Sequence, residues 1–286
     1  MNSGELMIIS KKFIWGALIV FAILMTVLAL GKIDYNFSNS IVNVDSGWAE
    51  FFNLFGEQPA FIALYAGVLI LYGARRKESK KTLKTIVAVP FLLLASFQIT
   101  FLPVHYLYEH TDKSIPPIWW VVVLLLTFLL SAAGLFLSNR IQPEKFRKVR
   151  KYGLILIILV AAEILLVNIL KIVWARPRMR SIDSIDQFKY WYHINGLSND
   201  NELKSFPSGH TANGFVSIAF VMFFSAMSKL KKNLYLALAV VWGVLVALSR
   251  VVRGDHFLSD VLMSCLLTFL LFLLIQKLVL RENGRK

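Results

Sequence analysis

Two histidines, three cations and a carboxylate stand at spacings that suit phosphoryl transfer. His256 precedes Asp260 by four residues, which puts both side chains on one face of a helix. Asp260 can then accept the proton of one imidazole nitrogen and leave the other free to attack phosphorus. His210 is the second histidine, and the role open to it is general acid on the leaving oxygen. Lys171, Arg178 and Arg250 offer positive charge to the equatorial oxygens of a transferring phosphoryl group, a reaction catalysed largely by positioning and electrostatic stabilisation. Both arginines can bind oxygens in pairs. The turn Pro207-Ser208-Gly209 adds a hydroxyl at Ser208 and, at Gly209, a backbone that an anion can approach closely.

The elements that must position these residues are set by an apolar solvent. The chain has 286 residues, 57% of them hydrophobic and 17% charged, against roughly 45–50% and about 25% for a soluble domain. The apolar residues fall in blocks long enough to cross a bilayer. Eight spans are predicted, near 13–31, 59–74, 86–107, 118–138, 154–174, 211–227, 234–250 and 257–279. The fold class is all-α, a polytopic transmembrane helix bundle. The first run, Phe13 to Leu30, is long for a cleavable signal and reads as a retained helix. Net charge is +14, but the basic residues cluster between apolar blocks rather than along a stripe, so nucleic acid is excluded as a partner. The clusters are Lys11 and Lys12; Arg75, Arg76, Lys77, Lys80, Lys81 and Lys84; Arg140 to Lys151; Lys229 to Lys232; and Lys277 to Lys286. The alternate loops carry Asp34, Asp45, Glu50, Glu57, Glu109 and Asp112. By the positive-inside rule both termini face the cytoplasm. Cys265, the lone cysteine, rules out an intramolecular disulfide and a cysteine metal cluster. Residues 1–153 are expected to form about four N-terminal spans, 154–280 the catalytic core and 281–286 a cytoplasmic tail.

This topology brings the end of span five, the start of span six, the end of span seven and the start of span eight to one outer membrane face. The ionisable residues named above fall in those places, and intramembrane ionisable groups are functional candidates by default. Lys171-x6-Arg178, Pro207-Ser208-Gly209-His210 and Ser249-Arg250-x5-His256-x3-Asp260 resemble the three motifs of the type 2 phosphatidic acid phosphatase (PAP2) superfamily, in order and in register. The first motif departs from the family's Arg-Pro, since Met179 follows Arg178 and the proline is displaced to Pro177. The resemblance covers about 154–280 and implies a membrane lipid phosphatase with no metal and no cofactor. It implies a phospho-histidine at His256, with His210 as acid, Asp260 orienting His256, and Lys171, Arg178, Ser208, Gly209 and Arg250 holding phosphate. Undecaprenyl pyrophosphate, phosphatidic acid and phosphatidylglycerol phosphate all fit as substrates, and the outward site with its basic loop favours the first. A phosphotransferase using the same intermediate, or a non-catalytic lipid or anion carrier, stands as the alternative.

Other polar residues carry plainer readings. His105, His110 and His193 read as structural. Arg253 reads as a snorkelling side chain, and Arg176 and Arg180 as cations that could meet a headgroup. Glu163 and Asn168 suit helix–helix hydrogen bonds with a supporting role near Lys171. Asn213 and Ser217 share a helix face with His210. Ser249 reads as readily as a structural hydroxyl, and Phe188, Tyr190, Trp191 and Tyr192 as interfacial aromatics.

Overall fold

The computed structural model describes residues 8–75, 81–109, 111 and 113–281. Arg76, Lys77, Lys80, His110, Asp112 and the tail beyond Arg281 lie outside the described residues. Helices α1 (Lys11–Ala29), α2 (Ile33–Ser40), α3 (Gly47–Phe55), α4 (Gln58–Arg75), α5 (Lys81–Glu109), α6 (Pro117–Arg140) and α7 (Pro143–Lys148) make the N-terminal half. The C-terminal half has α8 (Arg150–Trp174), α9 (Gly209–Phe215), α10 (Lys229–Val252) and α11 (Leu258–Arg281). No strand occurs among the described residues.

Packing is that of a protein solvated by lipid. On α6 the outer positions are exposed and apolar, with Val121 60%, Leu125 57%, Phe128 60% and Phe136 57% exposed. Its buried stripe is small and polar: Thr127, Ser131, Gly134 and Ser138. That stripe meets α5 through Thr127–Thr100 at 2.9 Å and Ser131–Ser96 at 2.9 Å. The space left by Gly134 takes the Tyr65 hydroxyl, which donates to the Leu130 carbonyl at 2.8 Å. Lipid tails provide no hydrophobic drive between helices, so small residues and interhelical hydrogen bonds hold them together. α5 runs unbroken through Pro90 and Pro103, as neighbouring helices permit in a membrane.

Among the described residues seven helical stretches are long and apolar enough to cross a membrane, and the chain is a multi-pass membrane protein. The sequence predicts eight crossings; the sixth is instead a shorter apolar helix, Gly209–Phe224. Its α-helical part, α9, passes directly into a 3-10 helix over Val216–Phe224. A 3-10 helix rises about 2.0 Å per residue against 1.5 Å for an α-helix, so this segment extends roughly 28 Å, close to a hydrocarbon core of about 30 Å. Stretched winding gives a short sequence nearly the reach of a full span.

The main apolar core surrounds this segment. Ile155, Leu156 and Leu159 of α8, Phe215, Val216 and Met222, Val251 of α10, and Phe269 and Phe272 of α11 are all buried in it. Two glycines then fix where the ends of the helices meet. A side chain on Gly214 would stand 2.9 Å from the Gly56 carbonyl, so the bare backbone lets α9 close onto the α3–α4 corner. Gly254, at φ 72°, closes the short turn from α10 to α11. In that turn the Asp255 and His256 N–H groups donate to the Arg250 carbonyl at 3.1 and 3.3 Å, which folds His256 back toward the end of α10.

Candidate active site

The predicted meeting of four helix ends is present. α8 ends on Ala175 in the left-handed region, φ 42°, just past Lys171. The chain from 175 to 208 folds over the helix ends through bonds such as Arg178 N–H to the Glu202 carbonyl at 2.7 Å and Ser205 N–H to the Arg176 carbonyl at 3.0 Å. Ser208 begins α9, its N–H reaching the Asp260 carbonyl at 3.4 Å. Lys171 donates to the Lys204 carbonyl at 2.7 Å, and a methyl placed on Gly209 would lie 3.8 Å from the Lys171 side chain.

His256 is 2% exposed and sits between α10 and α11. Its Nδ1 faces Oδ2 of Asp260 at 3.6 Å, longer than a hydrogen bond. The Asp260 carboxylate is instead held by others: Arg176 at 2.5 Å on Oδ1, and the Ser205 hydroxyl at 2.5 Å with the Phe257 N–H at 2.9 Å on Oδ2. Asp260 is thus a fixed negative charge behind Nδ1, a few tenths of an ångström outside bonding range, and Nε2 is the nitrogen left for attack. Burial first, and then the charges of Lys171, Arg178 and Arg250, hold the His256 imidazole well below its ordinary range, against the pull of Asp255. Burial and these three cations together oppose a proton on His256.

A pH profile follows from that sign. Attack needs neutral His256, so the acid limb of kcat/KM should lie below the ordinary imidazole value of about 6.5. Lys171→Met removes the largest of the three charge effects and should move the limb upward. The second ionisation of the substrate, near 6, is common to both enzymes, so the difference belongs to the protein. An unmoved limb contradicts this electrostatic account.

His210 is 8% exposed at the start of α9. Its Nδ1 lies 3.0 Å from Glu57 Oε1 and its Nε2 3.3 Å from the Asn53 carbonyl. Arg250 is 3% exposed, pairs with Asp255 at 2.7 Å and donates to the Asn53 side chain. Arg178 donates to the Asn201 carbonyl at 2.9 Å. The Ser208 hydroxyl caps α9, accepting from Thr211 N–H at 3.4 Å, which leaves its own O–H able to donate. Among the described residues no group of three or more His, Cys, Asp or Glu gathers in a way that could hold a metal ion.

The PAP2 superfamily profile matches residues 152–283. The C-terminal half of this chain is a PAP2 domain. Phosphatidylglycerophosphatase B of Bacillus subtilis (strain 168) is 40% identical over 77 residues, 25% of this chain and 37% of that protein. The match thus spans little more than a third of the curated relative's length. No solved structure is significantly similar.

Several residues of the PAP2 domain differ from their sequence-based reading. Met179, in place of the family's proline, is buried against Phe188 and Phe257, so an apolar side chain fills the position after Arg178. Arg176 meets no open headgroup site. It is fully buried, bonded to Asp260, to Asp34 of α2 at 2.9 Å, to Ser259 at 2.7 Å and to the Lys189 carbonyl at 2.8 Å. Its guanidinium lies over the Phe257 ring at 4.4 Å and the Phe188 ring at 5.3 Å, so Phe188 belongs to the interior and not to a membrane interface. Arg253 does not snorkel: it pairs with Glu50 and with Asp255 at 3.5 Å. Arg180 pairs with Glu202 at 2.9 Å and Asp255 at 2.6 Å. Burial opposes charge on Asp255, but Arg250, His256, Arg180 and Arg253 hold its carboxyl down at about 2. Glu163 is buried with one carboxylate oxygen unpartnered, whereas Asn168 bonds the carbonyl of Ile164 in its own helix. Ser217 and Ser249 bond backbone carbonyls, and His105 stacks on Phe101.

Asp34, Asn53, Glu57 and Tyr106 reach the site from α2 to α5, outside the span that the profile matches. In the sequence Asp34 and Glu57 look like ordinary acidic loop residues. The available signal was that each lies within a few residues of a predicted span, where a carboxylate demands a partner.

Proposed function

We propose that this protein is a lipid phosphate phosphatase working through a phospho-histidine on His256, without a metal ion. The observation that carries the reading is the gathering of Lys171, Arg178 and Arg250 about His256 and His210 from four helix ends, the histidines and Arg250 buried and Lys171 and Arg178 half-buried. Lys171, Arg178 and Arg250 would bind the three equatorial oxygens, aided by the Ser208-Gly209 turn. His256 Nε2 attacks phosphorus as His210 gives a proton to the departing alkoxide, which leaves as the lipid alcohol. His210, now neutral, takes a proton from water; the hydroxide attacks phosphorus, the N–P bond breaks, and phosphate leaves with His256 restored. The negative charge of Asp260 stabilises the imidazolium character that develops on His256 during attack.

Phosphatidylglycerol phosphate is the first substrate to test, because the bacterial relative is a phosphatidylglycerophosphatase. Release of phosphate in detergent should be compared with phosphatidic acid, undecaprenyl pyrophosphate and a soluble ester. The expected result is turnover of at least one lipid phosphate, undiminished by EDTA. No turnover of any lipid phosphate sinks the reading; loss on chelation with recovery on adding a divalent cation sinks the metal-free route. Phosphate appearing on an added alcohol, with little free phosphate, assigns a transferase.

The site is proposed to face outward, with both termini cytoplasmic, on the distribution of basic loops. A cysteine placed at exposed Asn199 should react with an impermeant maleimide added to intact cells. Labelling only after lysis reverses the orientation.

A further inference from the structure

We infer that Glu57, held by Tyr106, is the positioning residue for His210, so that the N-terminal helices complete a site otherwise built by the PAP2 domain; the inference rests on His210 being the general acid of the proposed reaction. Glu57 sits at the α3–α4 corner, 7% exposed. One carboxylate oxygen lies 3.0 Å from His210 Nδ1. The other accepts the Tyr106 hydroxyl of α5 at 3.0 Å. The Tyr106 ring lies against the imidazole, centroids 4.4 Å apart, so a single side chain both supports the carboxylate and limits the tilt of the histidine.

The hydrogen-bond inventory gives this arrangement a direction. A carboxylate and a carbonyl only accept, and here one of each faces each ring nitrogen of His210. A neutral imidazole can donate to just one of them; the imidazolium satisfies both. The surroundings are thus shaped for the form that carries a proton on Nε2, the form a general acid needs. Burial, Arg250 and Lys171 oppose a proton on this ring, while the Glu57 carboxylate 3.0 Å from Nδ1 favours one. When a phosphate dianion binds the cations, that opposition falls and the proton on Nε2 is kept for the leaving oxygen. The close approach at Gly214 and Gly56 is what brings the corner within bonding distance of α9.

A merely structural role and a positioning role separate by leaving group. An alkoxide needs the proton, whereas 2,4-dinitrophenolate departs without it. Glu57→Gln should lower kcat/KM on an alkyl phosphate lipid by about 10²-fold, the scale of general-acid catalysis, and leave kcat/KM for 2,4-dinitrophenyl phosphate, which reports only the first phosphoryl transfer, within about threefold of the wild type. Tyr106→Phe, which removes one hydroxyl, should show the same signature in smaller size and carries the test if Glu57→Gln is poorly folded. His210→Ala should lose at least as much as Glu57→Gln on the alkyl phosphate lipid, and the Glu57→Gln/His210→Ala double variant should be no worse than His210→Ala alone. Equal losses on both substrates, or no loss on either, overturn the inference. A wild-type protein that hydrolyses neither substrate overturns the phosphatase reading itself, and a His256→Asn variant that hydrolyses both overturns the phospho-histidine route.

Discussion

His256→Asn should lower phosphate release by about 10⁴-fold or more, because removing a nucleophile removes the covalent route and leaves only binding and electrostatics. The side chain is buried, but its Nδ1 has no hydrogen-bond partner within range, so asparagine orphans no donor or acceptor. The variant should extract, purify and melt much as the wild type does. It should also still bind lipid phosphate, since Lys171, Arg178 and Arg250 are untouched. Turnover assays with a thermal melt in the same detergent check both halves. Substantial turnover in a folded variant removes His256 from the role of nucleophile.

Arg176→Met should be the most destabilising single change in the site. The side chain is wholly buried and bridges Asp34 and Asp260. Methionine has nearly the right volume but leaves two buried carboxylates facing each other without a cation. Breaking a buried pair in this way costs about 3–5 kcal/mol. Burial already pushes the Asp34 carboxyl up and the charge of Asp260 adds to that, with Arg176 the main force the other way. Asp34→Asn added to Arg176→Met removes one of the stranded charges and should recover part of the loss. Glu144→Gln is the contrast, because its side chain is 58% exposed and that of its partner Arg147 48%; an exposed pair is worth about 1 kcal/mol or less. Denaturation midpoints in detergent check the order, and equal midpoints for Arg176→Met and wild type contradict the clamp.

That clamp shows where sequence reasoning stops. The eight apolar blocks could be placed because lipid demands about 20 apolar residues per crossing, and the basic loops could be sorted because charge asymmetry is local in the chain. His210, His256 and Asp260 were visible because their spacing is set by single helices and one turn. Arg176 was harder to place: it is two residues from Arg178, both are arginines, and only the left-handed turn at Ala175 sends one into the interior beside Asp34. Glu57 and Tyr106 come from helices 49 residues apart in the sequence and meet His210 through a glycine–glycine approach that leaves no local periodicity. The sixth span was legible as apolar but not as stretched, since 3-10 winding has no composition of its own. Ser208 was read from its type as an anion donor; its second use, as the cap that accepts from Thr211 N–H at the start of α9, follows from the same residue type.

The account rests on one covalent bond, between phosphorus and Nε2 of His256. Rapid mixing of the purified protein with a ³²P-labelled lipid phosphate, followed by alkaline quench and peptide mapping, tests it directly. The expected result is label in the peptide containing His256, stable to base and lost in mild acid as a phosphoramidate is. His256→Asn should abolish that label, and His210→Ala should slow both its appearance and its decay, because the acid of the first step is the base of the second. Label on another residue, or full turnover with no labelled protein at any time point, contradicts the mechanism.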